Sequence, residues 1–333
     1  MGRPTVGKPA GRTRSQSRRM GLVLLPGVIA HADWGTDPRK RQVAVAVRCR
    51  GDDSYQVVSL AAAPDAPGTD LFDALGGMAS AGAVLVGFDF TIGVPRAYAA
   101  AARIASFPEF LGQIGNPPWQ EFAHVATAPG QISLRRPFYP QRPGGARREH
   151  LYSGLRLSAA ELRRRGDGRD AETLFWTLGG KQAGKASLDG WRLLRQARAR
   201  GAGIALWPFD GSLPALLAGP ARFVVAEAYP REFYRQIWAP PRARWSKRRR
   251  DDRLDRVPAL LAWADSLRVG WETPVARRVA AGLSDGLTGE DEFDAVIGLL
   301  GMIAVVTGAI PVGVPDDDPA VLATEGWILG RAG

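Results

Sequence analysis

The sequence predicts an α/β fold: a mixed sheet of five strands flanked by helices, with a large, mostly helical or irregular insertion after the fourth strand. Three observations predict it. Residues 27–32 (GVIAHA), 83–88 (AVLVGF) and 222–226 (RFVVA) are short apolar runs of the kind a sheet buries on both faces. Residues 42–50 (QVAVAVRCR) and 55–61 (YQVVSLA) read as strands, the first by its alternation of apolar and other residues. Residues 295–309 form a longer apolar run that suits a core helix.

In chain order, the first three strands make an antiparallel meander, with a turn at Gly51, Asp52 and Asp53 joining the second to the third. A helix over 69–81 follows, with Thr69 and Asp70 as its start signals. It leads to the run at 83–88, and such a crossover returns that strand parallel to the first. Residues 96–220 are rich in Pro and Arg and too long for an ordinary loop, so they read as an insertion over the active edge of the sheet. Within it, 171–178 reads as helix. After it come the strand at 222–226, helices over 251–267 and 274–283, and the apolar helix.

With 333 residues and 45% hydrophobic content, the chain has enough apolar side chains for one large domain over 21–333. Residues 1–20 carry Arg3, Lys8, Arg12, Arg14, Arg18 and Arg19 without an acid, and read as a disordered basic tail. No stretch reaches membrane-span length, because the run at 22–32 is interrupted by Pro26 and His31. Cys49 is the single cysteine, which excludes an internal disulfide and points to a reducing, cytoplasmic setting. His31, His124 and His150 lack zinc spacing.

The chemistry is carried by acids. Asp33, Asp89 and Glu227 each end an apolar strand, where a carboxylate is costly to desolvate unless a cation meets it. In an open α/β sheet such strand ends share a crevice. Asp291 and Asp294, three residues apart, lie on one face of the first turn of the last helix. Two readings stand for this pair, helix capping and metal binding. Converging carboxylates suit Mg²⁺ or Mn²⁺, and Asp33, Asp89, Glu227 and Asp294 are the expected ligands. The expected mechanism has Asp33 bridging two cations about 4 Å apart in an in-line displacement at phosphorus. His31, two residues before Asp33, reads as a hydrogen-bonded core histidine rather than a substrate contact.

A net charge of +11 suits a polyanionic partner, nucleic acid above all. Arg135, Arg136, Arg142, Arg147 and Arg148 surround Phe138 and Tyr139, a mixture fit to hold phosphates and stack bases. A second run over 242–250 includes Trp245, Lys247, Arg248 and Arg249. Residues 179–185 (GGKQAGK) have the spacing of a phosphate-binding P-loop, with Lys181 and Lys185 as its cations. Ala186 stands where that motif needs Ser or Thr, so the reading kept is a phosphate-contacting loop, not a P-loop ATPase. The substrate-binding candidates are therefore Arg135, Arg136, Lys181, Lys185, Lys247 and Arg248. The tryptophans read as core anchors, and Glu325 as closing the domain or as a late-chain acid near the site.

A three-strand meander, a helix and further strands, with acids on the first and fourth strands and a late helix, is the arrangement of the ribonuclease H-like fold. The strings HADWGTDPRKRQVAVAV, VGFDFTIGVP, EAYPREFY, DEFDAVIGLLGM and EGWILGR resemble those of the DUF429 family of predicted ribonuclease H-like nucleases. The resemblance spans most of the chain beyond the tail. It implies that Asp33, Asp89, Glu227, Asp291 and Asp294 are the catalytic acids, and that the activity is metal-dependent phosphodiester hydrolysis of nucleic acid. Thr91 departs from it, where many relatives have Pro. The alternative is a non-catalytic nucleic-acid- or nucleotide-binding protein on the same scaffold.

Overall fold

The computed structural model describes residues 25–64, 70–79, 81–168, 171–179, 183–237, 245–286, 288–314 and 318–333. The basic tail at 1–20, Lys181 and residues 242–244 lie outside the described residues. The strands are β1 (Val28–Asp33), β2 (Gln42–Arg48), β3 (Tyr55–Ala62), β4 (Val84–Phe88), β5 (Ile204–Leu206), β6 (Phe223–Glu227) and β7 (Val269–Trp271). They form one mixed sheet in the order β5-β6-β4-β1-β2-β3-β7. β2 runs antiparallel to β1 and to β3, and every other neighbouring pair is parallel, including β4 beside β1.

The sheet has seven strands, where five were expected. The two additions are the edge strands β5 and β7, each of three residues, too short for a period-two pattern to register. β5 also shows that the segment after β4 does more than cover the sheet, since its residues pair with β6.

The apolar side chains sort to two cores, one on each face. The first receives α1 (Leu71–Met78), α2 (Arg96–Ala102), α3 (Phe107–Gln113), α4 (Arg148–Leu155) and α5 (Ala183–Ala199). The second receives α6 (Leu213–Ala218) and α7 (Pro230–Phe233), and then, after the short α8 (Arg250–Leu254), α9 (Val257–Ser266), α10 (Thr273–Ala280) and α11 (Gly289–Val306). α1 starts where Asp70 accepts a hydrogen bond from the Asp73 amide at 2.8 Å, which satisfies one open donor of the first turn. The helix expected over 251–267 is two helices, because Pro258 lacks an amide and is tolerated only in an opening turn, that of α9.

The helix expected over 171–178 does not form. Leu174, Phe175 and Trp176 are buried in the first core, and Trp176 pairs with Tyr139 in an isolated bridge. Burial of three consecutive apolar side chains outweighs their modest helical preference. α11 lies across β1 and β2, with Gly298 against the His31 ring, where a Cβ would fall 2.4 Å from ring atoms. That close approach sets the first turn of α11 beside the end of β1. No described helix is long and apolar enough to cross a membrane.

Candidate active site

Strand alternation decides which acids meet. On β1, Val28, Ala30 and Ala32 enter the first core, while Ile29 enters the second and His31 packs on α11. Asp33 falls on the α11 side by the same alternation. On β4, Val84, Val86 and Phe88 enter the first core, and Leu85 and Gly87 face the second, with Gly87 against Met302 of α11. Asp89, the next residue, continues that side. α11 supplies Asp291 from its first turn and Asp294 from its second.

These acids lie near enough to act on one another. The Asp33 carboxyl is pushed well above the carboxylate range by burial, then by the charges of Asp89, Asp294 and Asp291. Asp89 is raised to about 6 by burial, with Asp294 adding to the shift and a hydrogen bond from the Trp34 amide (2.7 Å) opposing it. Asp294 is raised by burial and held back by Lys247 and Tyr234, whose ammonium and hydroxyl both donate to its carboxylate. Asp291 is pushed up to about 7 by burial and by Glu290, and its Oδ2 is buried without a hydrogen-bond partner. Among the described residues nothing donates a hydrogen bond to Asp33. Among the described residues Lys247 is the cation paired within this cluster: burial pulls its ammonium down, and Asp294 outweighs that and raises it.

Glu227 is placed elsewhere. In the β4–β6 register it stands level with Phe88, not with Asp89, and so faces the first core. A one-residue offset on a strand reverses the face. There Arg164 grips it in a two-pronged ion pair, both N–H···O contacts at 2.7 Å, and the Ile92 amide adds a third donor at 2.8 Å. Burial raises the Glu227 carboxyl and Arg164 opposes it. Its expected role as a metal ligand is thereby replaced by an ion pair that anchors the segment after β4 to the sheet. Glu325, fully buried, accepts hydrogen bonds from Arg96 and from the Arg165 amide, and closes the domain rather than joining the acids.

His31 is a core histidine: Nε2 donates to the Ala228 carbonyl at 2.9 Å, and burial lowers its pKa to about 4. Phe138 and Tyr139 are buried in the first core, so neither ring offers a base-stacking face. The expected aromatic and cationic patch is thus an aromatic core with arginines at its rim. Arg135 stacks on the Trp119 ring at 3.6 Å, Arg136 donates to the carbonyls of His124 and Val125, and Arg148 pairs with Glu172. Arg248 pairs with Glu290 at 3.2 Å and is mostly exposed. Lys185 lies in α5.

Two residues of the site, Trp34 and Tyr234, and the partner of Glu227, Arg164, escape a reading of the sequence. Tyr234 is the last residue of EAYPREFY and Trp34 adjoins Asp33, so proximity to an acid is a usable signal for both. Arg164 sits in the run Arg163, Arg164, Arg165, where nothing local marks the buried one.

The raised carboxyls set a sign for pH dependence. A carboxyl whose folded pKa lies above its unfolded value favours the fold below the unfolded pKa, near 4, and loses that contribution as pH rises through the folded value. Without divalent ions, the cluster is therefore expected to reduce stability between pH 4 and 7. Discounted for its partial exposure, Asp89 accounts for about 2 kcal/mol of this. Denaturant titrations in chelator at pH 4.5 and 7.5 measure it, and Asp89→Asn is expected to flatten the difference. Asp318, held down to about 2 by its hydrogen bond from Arg96, acts in the opposite sense only below that window.

Among the described residues no group of three or more His, Cys, Asp or Glu side chains stands in a metal-ligating arrangement. The expected four-acid cage is thus not assembled: Glu227 pairs with Arg164 and Asp294 with Lys247. No protein-family model, curated protein or solved structure matches the chain.

Proposed function

We propose that the chain is a metal-dependent nuclease that hydrolyses phosphodiester bonds of nucleic acid at the Asp33, Asp89, Asp291 and Asp294 cluster. The observation that carries this is the placement of Asp33 and Asp89 at the ends of the neighbouring parallel strands β1 and β4, near enough to Asp294 of α11 that its charge raises both carboxyls. Such a set is unfavourable for folding and is relieved by a cation. The strand order β3-β2-β1-β4-β6, with β2 antiparallel to its neighbours, supports a ribonuclease H-like core.

The donor set fits a hydrated Mg²⁺ or Mn²⁺. Such an ion keeps several waters and needs only one or two carboxylates; among the described residues Asp33, Asp89 and Asp291 have no cationic hydrogen-bond partner, and Asp33 and Asp89 end neighbouring strands. When bound, the ion supplies Lewis acidity and makes a water acidic enough to act as a nucleophile. The Trp34 amide fixes one oxygen of Asp89. Tyr234 and Lys247 hold Asp294, and the Lys247 ammonium balances the cluster while no substrate or ion is present.

Incubation with single-stranded, double-stranded and structured DNA and RNA, with Mn²⁺ and with chelator, tests the proposal. Cleavage that needs Mn²⁺ is expected; none on any substrate would remove it in favour of a binding protein. Lys247→Met is expected to bind Mn²⁺ about tenfold more tightly, since a neighbouring charge shifts such equilibria by about 1–3 powers of ten. The same variant is expected to be less stable than wild type at pH 7 in chelator. Calorimetry and denaturant titration read the two effects.

A further inference from the structure

A second site lies on the first-core face. α5 and the segment that follows α3 line an open pocket of about 290 Å³, near the lower end of the ~300–1,000 Å³ range of small-molecule sites. Its wall from α5 carries Lys185, Asp189, Arg192 and Arg195, and Ile114 and Leu188 add apolar surface. Charge is in surplus there. Asp189 is already shared between Arg41 and Arg192 and also accepts from the Trp34 indole at 3.2 Å. Lys185 and Arg195 have no acidic partner among the described residues. Burial alone lowers Arg195, with no acid opposing it, and its guanidinium packs over the backbone at Gly115.

The cavity also connects to the acids. Asp189 receives the Trp34 indole N–H, and the Trp34 amide holds Asp89. Trp34 thus links the Asp189 wall of the pocket to Asp89.

We propose that this cavity binds the phosphorylated end of a nucleic-acid strand, with the terminal phosphate against Lys185 and Arg195 and the terminal nucleoside against Ile114 and Leu188. A phosphate monoester carries nearly two charges at neutral pH, which matches two cations without partners, whereas a chain diester carries one. The volume holds about one nucleotide. This rests on the nuclease reading for its biological sense, and it implies cuts at a set distance from a phosphorylated end.

The test needs no cleavage. Short single-stranded oligonucleotides of one sequence, with a 5′ phosphate, a 3′ phosphate or neither, are titrated in chelator against wild type and against Lys185→Gln/Arg195→Gln. Fluorescence anisotropy reads the affinity. One phosphorylated form is expected to bind wild type about tenfold or more tightly than the unphosphorylated strand, an advantage lost in the double variant. Equal binding of all three forms, or an advantage that survives in the double variant, overturns the proposal. So does inorganic phosphate displacing the strand as effectively as a nucleoside monophosphate does, because the site then takes free phosphate. If the double variant does not fold, Lys185→Gln alone, at a half-exposed position, is expected to reduce the advantage at least about threefold, and an unchanged advantage overturns the proposal. End-selective binding without cleavage of any substrate would leave this site standing and remove the nuclease reading; cleavage without end selectivity would do the reverse.

Discussion

Arg164→Ala is expected to destabilise the protein by about 3–5 kcal/mol, the cost of leaving one partner of a buried ion pair uncompensated. Arg164 and Glu227 are both buried, and the guanidinium also donates to Asp167 and to the Glu325 carbonyl. Truncation removes all these donors and leaves Glu227 facing the first core with only the Ile92 amide. Denaturant titration measures the loss as a lower midpoint. Arg164→Met combined with Glu227→Gln is expected to recover a large part of it, since replacing both charges removes the desolvation penalty. A loss below about 1 kcal/mol in Arg164→Ala would mean that Glu227 is neutral or reached by water. Because Glu227 points away from the acids, Glu227→Gln is also expected to leave Mn²⁺ affinity intact.

Asp33→Asn is expected to lower metal-dependent cleavage by at least about 100-fold, since changes one shell further out already lose about 10–100-fold. The same substitution is expected to raise stability at pH 7 in chelator. It removes a buried carboxyl that repels Asp89 and Asp294, and an amide has no charge to desolvate. Opposite signs for stability and activity are characteristic of a functional site built against folding. Thermal unfolding and initial rates on one purified preparation read both. Unchanged cleavage would exclude Asp33 from the chemistry.

Much of this was legible in the sequence, for reasons that can be named. The central strands β1 and β4 and the helix α11 are long or apolar enough to show their period, and the acids at their ends stood out because a buried terminal carboxylate needs an explanation. The strands β5 and β7 were not legible, because three residues carry no period. The face on which Glu227 falls is not legible, for a subtler reason. FVVAE resembles the other acid-tipped strands, but its register against β4 is offset by one residue, and register depends on pairing that a single strand does not encode. Lys247 reads in the sequence as a cation for nucleic acid, yet it folds back onto Asp294, because the clustered acids attract a nearby flexible ammonium. The arginines around Phe138 were visible, but the burial of that ring among Phe122, Phe175 and Trp191 was not, since aromatic residues look the same in a core and on a stacking surface.

Calorimetric titration of Mn²⁺ into the wild-type chain and into Asp33→Asn and Glu227→Gln at pH 7.5 probes most directly whether the β1, β4 and α11 acids form one cation site. Saturable binding in wild type and Glu227→Gln, with at least about tenfold weaker binding in Asp33→Asn, is the expected result. Equal binding in wild type and Asp33→Asn, or none in any of the three, would contradict it.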